Sequence, residues 1–339
     1  MKILAPVATG SGAHILHSEL ARGIDGYRLR GYSPWWTLVP PALRGFSSGP
    51  ADLLHVTADY ANSFRRRDCP MVATLHNYVC DVQMKPYAST AQYLHYRTNL
   101  RWHTRKSLQV ADRVTAVSHY IARKVLDDLQ PGCKVQVIYN GVDEQRFHPG
   151  KQRAKGAADP FRVLFCGNLS PRKRPHLLVP LANALGKTFE VHYTAGLAND
   201  ALGAQRLSSD AAALIPHGRV QHVDMPGLYR QMDALFMPSL REGFGLCVAE
   251  AMACGLPIVA AAAGPMPELF EDGKGGFLRA PDDVAAYADA FRILAGSQAE
   301  ALQMGEYNRS RVEQQFTLSR MIADYQALFQ EVLDSPQKN

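Results

Sequence analysis

The sequence has no paired cysteines, no long apolar run and no Asp-x-Asp motif, and each absence removes a class of protein. Its six cysteines stand apart without a C-x-x-C pair, which argues against a disulfide framework or a structural zinc site and fits a reducing cytosol. A membrane-spanning helix needs about 18 consecutive apolar residues, and no such run occurs. Without Asp-x-Asp, the usual carboxylate site for a divalent metal is missing.

Length and composition favour two α/β domains. The chain has 339 residues and a hydrophobic fraction of 47%, which is enough to fill two cores. Residues 148–160 are polar, contain Pro and Gly, and are typical of a linker. We therefore expect domains at residues 1–155 and 156–339. The N-terminus, MKILAPVATGSG, is too short and too interrupted for a signal peptide, so we expect a cytoplasmic protein.

The most informative stretch, residues 234–263, predicts a strand, a loop, a helix and a second strand. The first amides of a helix lack internal partners and carry the positive end of its dipole. The backbone at Phe244, Gly245 and Leu246 can therefore donate to a phosphate or a sugar hydroxyl. Gly243 and Gly245 allow a ligand to approach the main chain closely.

Two acids frame this helix. Glu242 precedes it and Glu250 lies within it, so the pair could hold two ends of one polyol ligand. The alternative is that both are solvated surface acids, which is the common situation for glutamate. Glu250 stands among Val248, Ala249 and Ala251, so we expect it to be partly buried and to need a partner.

This stretch resembles the E-x7-E segment of retaining glycosyltransferases with the GT-B fold, particularly glycosyltransferase family 4, with Glu242 and Glu250 as its two acids. The resemblance implies an α/β fold of two Rossmann-like domains that face each other across a cleft. The donor would bind to the second domain and the acceptor to the first. In that family the first acid and the following amides hold the donor sugar, and the second acid binds the ribose of the nucleotide. The implied donor is a UDP-, GDP- or ADP-sugar.

A second matching segment begins at Gly167, after the first strand of the second half. The family pattern is G-R-L followed by K-G, and its Arg and Lys neutralise the donor diphosphate. Lys173 matches the Lys, whereas Asn168 stands in place of the usual Arg and Arg174 in place of the Gly. Either Arg172 or Arg174 compensates for the missing charge, or the diphosphate binds more weakly.

Two segments of the first half match the family near the acceptor and the donor sugar. Gly10, Ser11 and Gly12 join the first strand to a helix that carries His14, where the family has a Gly-rich loop on the acceptor side; such a turn is also common elsewhere. His76 ends a strand in the family's T-x-H pattern, which faces the donor sugar. A histidine at this position can equally be a structural hydrogen-bonding residue.

Two further segments concern the connection between the domains. Asn140 opens the N-G-V-D turn at which the family's chain leaves the first domain, and we place it on the acceptor side. A helix predicted near residues 318–335 resembles the family's last helix, which crosses back to the first domain.

The net charge of +6 is unevenly distributed. Residues 1–155 carry 21 Lys and Arg against 11 Asp and Glu, a net charge of +10, whereas residues 156–339 carry −4. Arg97, Arg101 and Arg105 recur every four residues along a helix predicted over residues 88–110, and the Trp35-Trp36 pair lies in the same half. A solvated basic face is one interpretation; an anionic membrane surface is the one we favour. No nucleic-acid recognition motif accompanies the charge.

Taken together, these patterns predict a retaining, metal-independent glycosyltransferase without a cofactor. His76, Lys173 and Glu242 are the expected catalytic residues, and no covalent nucleophile is assigned. The expected acceptor is a glycan or lipid-linked molecule of the polysaccharide or lipopolysaccharide type, reached from the cytoplasmic face of the membrane. A nucleotide-sugar epimerase on the same fold and a degenerate nucleotide-sugar binding protein are the two alternatives.

Overall fold

The computed structural model describes residues 1–150, 156, 159–167, 169–194 and 207–335. The chain divides into two compact units. The first contains Met1–Gly141 together with Leu318–Asn339, and the second contains Val142–Thr317. Each unit is built on a parallel sheet of six strands.

The strands and helices alternate along most of the chain, as expected for doubly wound α/β units. The strands are β1 (Ile3–Ala8), β2 (Tyr27–Tyr32), β3 (Leu53–Thr57), β4 (Met71–Leu75), β5 (Arg113–Ala116), β6 (Val135–Val137), β7 (Phe161–Phe165), β8 (Phe189–Tyr193), β9 (Ala213–Pro216), β10 (Ala234–Met237), β11 (Ile258–Ala261) and β12 (Gly276–Arg279). The helices are α1 (Gly12–Gly23), α2 (Ala61–Phe64), α3 (Thr90–His95), α4 (Arg101–Val110), α5 (His119–Leu129), α6 (Leu178–Leu185), α7 (Met225–Tyr229), α8 (Leu246–Ala253), α9 (Met266–Leu269), α10 (Val284–Gly296), α11 (Gln298–Gln315) and α12 (Leu318–Asp334).

The sheet of the first unit has the strand order β2-β1-β3-β4-β5-β6. Its central strands are apolar because both faces are covered. Leu4 and Leu54 belong to the core on one face, whereas Ile3 and Leu53 belong to the core on the other. Tyr325 of α12 belongs to this second core.

The sheet of the second unit has the order β12-β11-β10-β7-β8-β9. The predicted strand, loop and helix at residues 234–253 are confirmed, because β10 ends at Met237 and α8 begins at Leu246. The following strand is shorter than predicted and ends at Ala261. Because β7 pairs with β10 in parallel, the loops that follow these two strands emerge at the same edge of the sheet.

The helix predicted over residues 88–110 forms as α3, a π-helical turn and α4. The exposed basic face predicted along it is wrong for two of its three arginines. Arg97 donates to the Cys80 carbonyl at 2.8 Å, and Arg101 donates to the carboxylate of Asp128 at 2.9 Å. Asp128 lies near the end of α5, and both arginines form ion pairs with it. Arg105 remains exposed. Among the described residues, no helix is both long and apolar enough to cross a membrane.

A chain of buried polar side chains crosses the first sheet. His17 Nδ1 lies 2.6 Å from the Tyr27 hydroxyl, which lies 2.7 Å from His55 Nδ1. His55 Nε2 in turn lies 2.7 Å from the Thr74 hydroxyl. The hydroxyl proton of Tyr27 can be donated to only one of the two histidines, so their tautomers are linked. The chain thus ties α1, β2, β3 and β4 together through neutral hydrogen bonds.

The ring of His76 lies beside this chain, 5.4 Å from the ring of His17. Burial lowers the pKa of His76 to about 4. Burial also lowers the pKa of His17 and of His55, and the neighbouring histidines lower both further. All three imidazoles are therefore neutral near pH 7.

These three histidines predict a loss of stability at mildly acidic pH. In the unfolded chain a histidine binds a proton as pH falls through about 6.5, whereas the folded protein keeps these three neutral. Each should therefore lower the free energy of unfolding by about 1.4 kcal/mol between pH 7.5 and 5.5. Asp59 acts in the opposite sense below pH 6, because desolvation raises its pKa to about 6, but it is one group against three.

Urea unfolding at pH 7.5 and 5.5 measures the effect. His17→Leu should reduce the pH dependence, and His148→Gln, at an exposed position, should not. An unchanged pH dependence in the His17→Leu variant would contradict the assignment.

Candidate active site

The loops after β7 and β10 bring two cations and a carboxylate together in the second unit. Lys173 Nζ lies 2.8 Å from Glu242 Oε1, and Arg172 Nη1 lies 3.2 Å from the same oxygen. The side chains of Lys173 and Glu242 are only 10% and 12% exposed, so the charges attract each other in a largely desolvated environment. Arg172 also donates to the Arg241 carbonyl at 3.0 Å, which fixes it beside the pair.

The pairing decides the charge state of both partners. Burial opposes the ionised form of Glu242, but the nearby Lys173 and Arg172 outweigh burial and lower the pKa of this carboxyl. Burial likewise opposes the charged ammonium of Lys173, and the attraction of Glu242 more than offsets it, so the pKa of Lys173 is raised. The site therefore holds fixed, fully ionised groups.

Arg172 is the arginine next to this pair, whereas Arg174 points elsewhere. Arg174 adopts a left-handed conformation with φ of 62°, and its guanidinium donates to the Pro281 carbonyl and pairs with Asp282. Of the two arginines considered above, only Arg172 contacts Glu242. Asn168 lies outside the described residues.

Gly167 gives the Lys173 side chain its room. Its φ of +144° favours glycine, and a Cβ at this position would lie 3.2 Å from Lys173 Cε. The stem of Lys173 therefore packs directly over the Gly167 backbone.

The expected burial of Glu250 and its need for partners are both confirmed. Glu250 is 7% exposed, and each of its carboxylate oxygens accepts a hydrogen bond. His222 Nε2 lies 2.8 Å from Oε1, and the Tyr229 hydroxyl donates to Oε2 at 2.9 Å. Burial raises the pKa of Tyr229, so this hydroxyl keeps its proton.

The turn between the two acids brings the main chain to the N-terminus of α8. Gly245 caps the helix with φ of +100° and no side-chain cap, and a Cβ there would lie 2.8 Å from Met266 Cε. Phe244 is buried against Phe316, with ring centroids 5.5 Å apart. Gly243 and Leu246 flank these residues, so the predicted loop residues are contiguous at the helix mouth.

The predicted residues of the first unit lie in three segments of the chain, at the start of α1, after β4 and after β6. Gly10, Ser11 and Gly12 form the turn into α1, and the Ser11 hydroxyl caps the helix by accepting from the His14 amide at 3.1 Å. His14 itself is half-buried on the first turn of the helix. The Ser11 side chain therefore has a structural role, as the N-cap of α1.

His76 and Asn140 each keep one polar atom unused. His76 Nε2 and Asn140 Oδ1 are buried and have no hydrogen-bond partner among the residues that the structure describes. Such atoms are costly unless a ligand or water satisfies them. His76 directly follows β4 at the carboxyl edge of its sheet, which is where open α/β sheets bind ligands.

Sequence reasoning missed three residues around Glu250: His222, Tyr229 and Arg146. Arg146 Nη2 lies 2.7 Å from His222 Nδ1, which adds a third member to the contact. Tyr229 ends a short buried helix, and the expected partner of Glu250 could have been sought there. No pattern in the sequence marks His222 or Arg146. Among the described residues, no group of three or more His, Cys, Asp or Glu side chains is arranged to hold a metal ion.

Two family models match the chain, one for each unit in turn. The model for Glycosyltransferase Family 4 matches residues 8–146, and the model for Glycosyl transferases group 1 matches residues 150–311. The chain belongs to glycosyltransferase family 4. The segment with Lys173, Glu242 and Glu250 falls within the second match.

Curated relatives of this family 4 chain include the D-inositol 3-phosphate glycosyltransferases of Mycobacterium tuberculosis and Mycobacterium bovis. They are 32% identical over 210 residues, which cover 57% of this chain. The matched region spans 43% of the length of these relatives.

Solved structures show the fold. Sucrose-phosphate synthase from Thermosynechococcus elongatus superposes with a TM-score of 0.81 at 19% identity, over 98% of this chain and 99% of that chain. HepE of Anabaena, in complex with UDP and glucose, has a TM-score of 0.75 at 20% identity, over 97% and 99% of the two chains. The predicted α/β fold class with GT-B architecture is confirmed.

The buried ion pair predicts that neutralising Lys173 alone destabilises the protein more than neutralising both partners of the pair. Lys173→Met keeps the length of the side chain but leaves the buried Glu242 carboxylate with Arg172 as its remaining cation. We expect the free energy of unfolding to fall by about 3 kcal/mol, and Lys173→Met combined with Glu242→Gln to recover most of that loss. Urea unfolding provides the measurement.

Lys187→Met is the matched control, because Lys187 pairs with Asp210 while both side chains are more than half exposed. It should change stability little. Equal losses from Lys173→Met and Lys187→Met would show that the Lys173 pair is not desolvated.

Proposed function

We propose that the protein is a glycosyltransferase that uses a nucleotide sugar as its donor, with the donor bound to the second unit. The observation that supports this most strongly is the cluster of Lys173, Arg172 and Glu242 at the mouth of α8, with Glu250 one helix turn further in. The two cations suit a phosphate, Glu242 suits the hydroxyls of a sugar, and Glu250 suits the hydroxyls of a ribose. Membership of family 4 supports the same function.

In this proposal the diphosphate enters beside Lys173 and Arg172. Its negative charge replaces part of the interaction that Glu242 makes with these cations, which frees the carboxylate to accept hydrogen bonds from the donor sugar. Backbone amides at Gly243, Phe244, Gly245 and Leu246 bind the sugar and phosphate oxygens. Glu250 accepts from the ribose hydroxyls. Asn168 is retained as a neutral hydrogen-bond donor to the diphosphate.

The reaction proposed is transfer with retention of anomeric configuration. The acceptor hydroxyl attacks on the face from which the nucleoside diphosphate departs, and the departing phosphate takes its proton. Lys173 stabilises the charge that develops on the leaving group, so no metal and no cofactor are required. His76 is the proposed catalytic residue of the first unit, and its imidazole is neutral because burial lowers its pKa to about 4. Gly10, Ser11, Gly12, His14 and Asn140 belong to the acceptor side.

The relatives indicate which donors to test first. HepE has been solved with UDP-glucose, so UDP-sugars are the first donors to test, followed by GDP- and ADP-sugars. The mycobacterial relatives are named for D-inositol 3-phosphate, a small polyol phosphate. For this chain we propose a glycan or lipid-linked acceptor of the cell-surface polysaccharide or lipopolysaccharide type. Nucleic acid is not proposed as a partner.

Kinetics of two variants test the donor site. Glu242→Ala should lower turnover more than tenfold, equivalent to more than about 1.4 kcal/mol of transition-state stabilisation, because its contact changes as the leaving group departs. Glu250→Ala should mainly raise the donor KM, since the ribose is bound alike before and during reaction. Exposed Glu306→Ala on α11 is the control and should behave like the unaltered protein.

The same assay, run in excess EDTA with product anomers followed by NMR, separates the rival functions. Full activity in EDTA with a retained anomeric centre supports the proposal. Turnover of the nucleotide sugar without an acceptor and without nucleotide release would indicate an epimerase. Tight binding without any turnover would indicate a binding protein, and near-normal kinetics in both glutamate variants would refute the site.

We also propose that the first unit attaches reversibly to an anionic membrane from the cytoplasmic side. Trp35 is 79% exposed, and Leu38 and Val39 are also exposed on the 3-10 segments that follow β2. Arg44 is exposed on the second of these segments. Aromatic residues favour the membrane interface, and a basic residue near an anionic leaflet contributes about 1 kcal/mol. This surface replaces the Arg97 and Arg101 face, because both of those side chains turn toward Asp128 and neither residue is exposed.

Co-sedimentation with liposomes tests the attachment. Binding should require anionic lipid, weaken as salt increases, and fall at least threefold for Trp35→Ser and for Arg44→Glu. Leu302→Ser, at an exposed apolar position of the second unit, should bind like the unaltered protein. Equal recovery in the supernatant with neutral and anionic vesicles at low salt would refute a membrane surface.

A further inference from the structure

We propose that His222 is a positioning residue for Glu250, and that Arg146 selects the imidazole tautomer through which it acts. The proposal rests on the proposed function, because it concerns the carboxylate assigned to the ribose of the donor. It adds two residues that lie outside the E-x7-E segment. All of the groups involved belong to the second unit.

The hydrogen bonds determine where the imidazole proton lies. Glu250 Oε1 accepts across 2.8 Å from His222 Nε2, so this nitrogen carries the proton. Arg146 Nη2 is 2.7 Å from His222 Nδ1 and 3.4 Å from Nε2. A guanidinium can only donate, so Nδ1 must offer its lone pair. Both contacts therefore require the neutral Nε2–H tautomer.

Arg146 is itself held in place. Nη2 also donates to the His222 carbonyl at 3.1 Å, which ties it to both the backbone and the ring of one residue. Its guanidinium carbon lies 4.8 Å from the centre of the Phe147 ring. The Phe147 ring is buried, and its centroid lies 5.5 Å from that of the His222 imidazole. The imidazole is thereby fixed in orientation by a charged donor and an aromatic neighbour.

The result is a carboxylate whose orientation is fixed at both oxygens. The Tyr229 hydroxyl donates to Glu250 Oε2, and it also lies 3.2 Å from the Cys247 carbonyl oxygen. His222 supplies the other anchor and is 40% exposed at its side chain, whereas Glu250 is 10% exposed. The histidine side chain is thus the more accessible of the two to solvent, and the carboxylate lies deeper. Each carboxylate oxygen keeps a lone pair that a ribose hydroxyl can use.

The chain from Arg146 through His222 to Glu250 is polarised in one direction. The positively charged guanidinium of Arg146 donates to Nδ1 and polarises the imidazole, which strengthens the hydrogen bond from Nε2–H to the Glu250 carboxylate. Loss of His222 should leave Glu250 held by Tyr229 alone and free to rotate about its side-chain bonds. Because ribose binding is common to the ground state and the transition state, that loss should appear in donor KM rather than in kcat.

The test compares His222→Leu with His222→Gln. The amide nitrogen of Gln can replace Nε2 as the donor to Glu250, whereas Leu removes the donor and keeps an apolar side chain of similar reach. UDP, GDP and ADP are titrated calorimetrically, and the tightest binder is used for all variants. We expect His222→Leu to raise Kd and donor KM about tenfold with kcat within about twofold, and His222→Gln to restore Kd to within about threefold. His148→Gln is the control.

A ribose-specific readout separates positioning from general damage. The unaltered protein should bind the ribonucleotide better than its 2′-deoxy and 3′-deoxy analogues, and His222→Leu should lose most of that discrimination. An equal loss of affinity for the ribonucleotide and both analogues would overturn the inference. If no nucleoside diphosphate binds the unaltered protein, the proposed function fails, and the role assigned to His222 toward ribose fails with it.

Imidazole ¹⁵N NMR of the ligand-free protein tests the tautomer without any substrate. His222 should be in the Nε2–H form in the unaltered protein and a mixture of forms in Arg146→Met. The Nδ1–H form in the unaltered protein, or no change in Arg146→Met, would overturn the role of Arg146 even where nucleotide binding is intact.

Discussion

A buried carboxylate must be compensated, and the second unit satisfies this requirement twice within one strand–loop–helix segment. Glu242 is compensated by Lys173 and Arg172, which arrive from a different strand, and Glu250 by the donors of His222 and Tyr229. Because removing one partner of a buried charge costs several kcal/mol, the site and the fold of this unit depend on the same contacts. Charges needed for ligand binding are therefore in position before a ligand arrives.

Parallel strand topology explains why these groups meet. Lys173 follows β7 and Glu242 follows β10, and the two strands are hydrogen-bonded neighbours although many residues separate them in sequence. The first unit uses the same geometry, since His76 directly follows β4 at the equivalent edge of its own sheet. There the neighbouring support is neutral, a chain of His and Tyr side chains in place of ion pairs, and we expect that unit to lose stability at mildly acidic pH.

Sequence alone was sufficient where local signals were strong. Gly245 and Gly255 flank α8, and the apolar residues around Glu250 predicted its burial. It was insufficient where partners are distant along the chain. Nothing near Arg97 or Arg101 reveals Asp128, and nothing near Glu250 reveals His222, because both contacts arise from the packing of separate elements. The choice between Arg172 and Arg174 depended on the left-handed backbone at Arg174, which the sequence does not indicate for a non-glycine residue.

A crystal structure of the chain with a bound nucleoside diphosphate, the one among UDP, GDP and ADP that binds most tightly, tests the central claim most directly. We predict a phosphate oxygen about 3 Å from Lys173 Nζ, Arg172 beside the diphosphate, and the ribose hydroxyls within hydrogen-bond distance of the Glu250 carboxylate. A nucleotide bound away from the mouth of α8, or a diphosphate in place with the Lys173–Glu242 contact uninvolved, would contradict it.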